Sequence, residues 1–204
     1  LGDVYKRQEY IVFVLVFFLF TVTALLITPF VRLYTRGIVD TEYNQPLFGF
    51  LLVLSEALYL VKLPHLNLAY SANKFKEITV PAYIEATLNI VISVALVKKL
   101  GLIGVTIGTI VGMTYRMVFH VYYTSKIVPG RAQRIFYRKL FLFAVGAGAG
   151  FALCYKLLPL QNVTVGSWIV HAIFYCVVIG SILLAISVLF FQNEMKFFAK
   201  YIKR

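Results

Sequence analysis

The chain has 204 residues, of which 61% are hydrophobic, 16% aromatic and only 14% charged, with a formal net charge of +12. A soluble domain carries roughly a quarter charged residues, so this composition excludes one and marks a membrane protein. Nucleic-acid binding is excluded by where the charge sits: Lys and Arg fill gaps between apolar runs, as in membrane loops, and do not cluster among aromatics on a soluble face.

The chain opens with LGDVYKRQ, which is polar and runs straight into EYIVFVLVFFLFTVTALLITPF. The apolar run is too long for a secretory signal. The string GAT-GTG-TAT-AAG-AGA-CAG encodes DVYKRQ, and it resembles the transposon-end oligonucleotide used in sequencing libraries. Residues 1–8 are therefore expected to be foreign to the gene, and the protein to be a fragment. From there six stretches reach the length a bilayer core requires, roughly 10–31, 47–71, 80–97, 102–124, 138–158 and 166–191. The expected fold is all-α, a polytopic bundle of about six transmembrane helices. Short polar or Gly/Pro-containing gaps separate the spans and leave no room for a soluble domain.

Lys and Arg set the expected orientation, because cytoplasmic loops hold the excess. Lys126, Arg131, Arg134, Arg138 and Lys139 fill the fourth gap, and Lys196, Lys200, Lys203 and Arg204 the tail. Both belong in the cytoplasm, so the first helix runs outward and the C-terminus lies inside. Lys98 and Lys99 fall in an outer turn, where long side chains snorkel to the interface.

Charges within the spans are the informative residues, since each central one costs about 2.5–3.5 kcal/mol on insertion scales and faces a bundle interior or a wet cavity. The second span carries Glu56, Lys62, Pro64 and His65. Six residues separate Glu56 from Lys62, about 120° of helix, so each is expected to answer to a different neighbour. Glu85, Asn89 and Ser93 recur at i, i+4 and i+8 as a polar stripe on the third span. Arg116 and His120 approach one end of the fourth span and read as headgroup anchors. Glu56, Lys62, Glu85, Asn89 and Arg116 are the substrate-path candidates. His171 reads as a satisfied buried histidine, and Cys154 and Cys176 as small buried hydrophobes.

Gly101, Gly104, Gly108 and Gly112 clear one face of the fourth span, and Gly146 and Gly150 repeat the pattern on the fifth, which suits close helix packing. No HExxH, phosphate-loop or GxSxG motif occurs. Catalytic residues, metal ligands and cofactors are not expected, and the chain is not read as an enzyme.

Taken in order, LLITPFVRLYTRG, a span ending SANKFKEIT, and IEATLNIVISVALVKKLGLIGVTIGTIVGMTYR resemble the second lobe of the multidrug/oligosaccharidyl-lipid/polysaccharide (MOP) exporter superfamily, in its polysaccharide-transporter branch. The matching positions are Pro29, Leu33, Tyr34, Gly37, Asn89, Gly101, Gly104 and Thr109. The resemblance covers about residues 10–130. It implies helices nine to fourteen of a fourteen-helix, MATE-like transporter, with the same inward C-terminus that the charges indicate. It also implies an N-terminal lobe not contained in this chain and a cavity lined largely by helices outside it, so the fragment alone would be inactive. The implied function is a flippase of the inner (cytoplasmic) membrane that moves a lipid-linked oligosaccharide or polysaccharide precursor by alternating access. Its implied partners are the bilayer, the lipid-linked sugar and the other lobe, with no nucleic acid. The alternatives are a cation-coupled multidrug exporter of the same superfamily and, further off, a membrane enzyme of polysaccharide assembly.

Overall fold

The computed structural model describes residues 2–38, 40–128, 131–160 and 163–195, with backbone alone for 2–4. Six long helices account for nearly all of them: α1 (Gly2–Tyr34), α2 (Pro46–Ser71), α3 (Phe75–Leu100), α4 (Leu102–Ile127), α5 (Gln133–Leu157) and α6 (Val165–Phe190). Among the described residues all six are long and apolar enough to cross a membrane. A helix of 26 residues spans about 39 Å, against a hydrocarbon core of about 30 Å. The protein is a multi-pass helical membrane protein. The basic tail from Lys196 onward, on which part of the expected orientation rests, lies outside the described residues.

The helices overrun the apolar stretches at several ends. The first begins at Gly2 instead of near residue 10, because YKRQE contains no helix breaker, and α3 begins at Phe75 because Lys76 and Glu77 continue a helix as readily as Val80 does. Local chemistry sets the stops. Pro46 occupies the first turn of α2, where a missing N–H is harmless. A capping box starts α6: Ser167 N donates to Thr164 Oγ1 at 3.2 Å and Thr164 N to Ser167 Oγ at 2.9 Å. A single residue, Gly101, both ends α3 and begins α4, at φ +56°, the left-handed region that a side chain would strain.

The chain divides into two compact units. The first comprises Leu1–Val12 and Gln45–Tyr137, and α4 is its centre, packed along both α2 and α3. The glycine row of α4 explains how close α3 comes. A Cβ on Gly108 would lie 2.8 Å from the Asn89 carbonyl, one on Gly104 2.7 Å from the Leu96 backbone, and one on Gly112 3.0 Å from the Glu85 carbonyl. Away from α4, α3 presents Val80, Tyr83, Ile90, Val91 and Val94, all exposed.

The second unit comprises Phe13–Asn44 and Arg138–Arg204. Its core is aromatic: Phe13, Phe17, Phe143 and Phe191 lie ring against ring at centroid distances of 5.5–5.9 Å, three of the pairs stacked and Phe13–Phe143 tilted. Gly150 of α5 lets Ile179 and Ile182 of α6 approach, and Gly146 does the same for Ile186. Trp168 Nε1 donates to the Leu26 carbonyl at 3.3 Å and Tyr175 to the Leu158 carbonyl at 2.8 Å. Cys154 is buried and Cys176 half-buried, both as free thiols. His171 is half-buried, its Nδ1 satisfied by the Ser167 carbonyl at 2.6 Å.

Candidate functional site

Three of the charges singled out in the sequence meet inside the first unit. Lys62 of α2 donates to Glu85 Oε1 of α3 at 3.0 Å, and Arg116 Nη1 of α4 donates to Glu85 Oε2 at 2.5 Å. The side chains of Lys62, Glu85 and Arg116 are 4%, 16% and 10% exposed, so the pairing is largely removed from both lipid and water. Lys62 also lies 3.3 Å from Met113 Sδ and over the face of Tyr59, 4.7 Å from its centroid. One carboxylate thus serves two cations on different helices.

Arg116 makes a further bond. Its Nε donates to His120 Nε2 at 2.8 Å, one turn along α4. The expectation that Arg116 and His120 sit at the headgroups is overturned: both are buried, and α4 continues three residues beyond the expected end. The stripe on α3 faces α4. Asn89 Oδ1 accepts from Ser93 at 3.0 Å and lies 3.5 Å from Thr109 Oγ1, while Ser93 Oγ approaches the Val105 carbonyl at 3.3 Å. Asn89 and Ser93 therefore bond helix to helix beside Gly108. Glu56 stands apart: it is exposed on α2, and among the described residues no hydrogen bond or ion pair joins it to Lys62.

No family model, curated protein or solved structure matches this chain. What the site does is therefore argued from its own chemistry.

A second buried polar cluster in the same unit escaped the sequence reading. Glu9, at the start of the first apolar run, accepts from Arg131, which lies 122 residues away between α4 and α5. His65 sits against both: its Nε2 is 3.5 Å from Glu9 Oε2, and its Nδ1 is 2.7 Å from the Tyr5 hydroxyl and 3.2 Å from Thr124 Oγ1. Phe136 meets the His65 ring edge-on. No sequence spacing links Glu9 to Arg131, and only the presence of a charge at each end gave a signal. Among the described residues no group of three or more His, Cys, Asp or Glu could hold a metal ion.

Proposed function

We propose that this chain is part of a membrane flippase that carries a lipid-linked saccharide precursor from the cytoplasmic to the outer leaflet by alternating access, with α1 running outward and the C-terminus in the cytoplasm. The observation that carries the reading is the Lys62–Glu85–Arg116 cluster. Two buried cations against one carboxylate leave a positive excess within apolar helices, which is costly without a compensating anion. The phosphate of a lipid-linked sugar supplies one. The ordered resemblance of residues 10–130 to the polysaccharide-transporter branch points the same way.

The test is Lys62→Met in the intact gene. Because Arg116 still holds Glu85, membrane abundance should stay near wild type while export of the saccharide is lost. Export at the wild-type level would remove Lys62 from the transport path. One observation favours a second reading, cation-coupled export: Glu85 is a carboxylate set within the spans. In that case Glu85→Gln should abolish the ion dependence of transport, whereas Lys62→Met should leave transport active.

A further inference from the structure

The Arg116–His120 bond fixes a protonation state. A guanidinium keeps its protons at any pH a protein meets, so Arg116 Nε is the donor and His120 Nε2 must be the bare acceptor, 2.8 Å away. A neutral ring then carries its proton on Nδ1. That nitrogen is buried and, among the described residues, has no hydrogen-bond partner. The ring itself is wholly inaccessible, with Phe119 edge-on at 5.6 Å.

We propose that His120 Nε2 is a proton-binding site and that a proton arriving there displaces the Arg116 guanidinium. A proton is the one ligand that needs no cavity. In the step, a proton from the aqueous phase forms an N–H bond with the Nε2 lone pair, and the Arg116 Nε–H···N hydrogen bond breaks. Two donors then face each other where a donor met an acceptor, and both carry positive charge. The groups around them cannot absorb that change in place. From α2, Lys62 and His65 lie within electrostatic range of the ring, and Glu56 acts on Lys62; from α3 there is Glu85; from α4, Arg116 itself. Of these only Glu85 is an anion within the cluster, and it already accepts from Lys62 and Arg116; the buried carboxylate beyond His65, Glu9, is held by Arg131. Proton uptake therefore drives Arg116 away from His120, with Glu85 as the anchor it retains. The site couples a proton to the position of the Arg116 side chain on α4, and it does so whatever substrate the protein carries.

The experiment is nitrogen NMR of the histidine-labelled and arginine-labelled 204-residue chain in lipid nanodiscs. The His120 signals are those that vanish in His120→Gln. At neutral pH, Nδ1 should appear protonated and Nε2 bare, with coupling across the hydrogen bond to Arg116 Nε. On acidification, Nε2 should gain its proton and the Arg116 Nε–H signal should move with the same midpoint. In Arg116→Met, which has no guanidinium to displace, the midpoint should differ from that of the wild-type chain. An Nε2–H ring at neutral pH overturns the proposal. So does an Arg116 signal that stays fixed while His120 titrates, or a midpoint unchanged in Arg116→Met. The wild-type spectra decide the matter alone if that variant does not fold.

Discussion

Glu85 is the residue on which Lys62 and Arg116 both depend, and its loss differs in effect from the loss of Lys62. Glu85→Gln leaves Lys62 and Arg116 buried beside each other without an anion, and breaking a buried pair from one side costs about 3–5 kcal/mol. That variant should show sharply lower membrane abundance and a lower melting midpoint in detergent, whereas Lys62→Met should change neither appreciably. Equal stability of the two variants would mean that the cluster does not hold α2, α3 and α4 together. Lys62, Glu85 and Arg116 were each legible in the sequence, because a charge within an apolar run is conspicuous. Their meeting was not, since it joins three helices across 23 and 31 residues. Arg116 was misplaced for a simple reason. It lies eleven residues short of the end of α4, about 16 Å along the axis, and the apolar stretch stops sooner than the helix does.

At the scale of the element, α4 joins packing and electrostatics on the face it turns to α3. Its glycines admit the α3 backbone, and the same approach brings Glu85 within reach of Arg116. Gly108→Val should force the two backbones apart and destabilise the protein by about 1–3 kcal/mol, the usual cost of overpacking. Gly148→Val, at a position with open space around it, should be nearly neutral. Thermal unfolding followed by circular dichroism measures both, and equal losses would contradict the close contact at Gly108. The existence, order and number of the six spans were readable from hydropathy alone. The helix ends were not, because hydropathy marks where apolar residues stop, while the backbone continues through helix-forming polar residues such as Lys76, Glu77 and Lys126.

For the whole molecule, the open prediction is orientation. With Cys154 and Cys176 replaced, a cysteine at Thr41 should react with a membrane-impermeant thiol reagent in intact cells, and one at Arg134 should react only after the membrane is opened. The reverse labelling would invert the proposed topology and withdraw the equivalence to helices nine to fourteen. The charge cluster also has a consequence for assembly. Lys62, Glu85, Arg116 and His120 all lie on three consecutive helices, joined by residues 72–74 and by Gly101 alone. Closing such short connections costs little entropy, so this knot of charges needs nothing that follows it in the chain. A protein cleaved between α4 and α5 should keep Lys62, Glu85 and Arg116 paired. The centre of the first unit is thus a self-contained hairpin-and-a-half, complete as soon as α4 has entered the membrane.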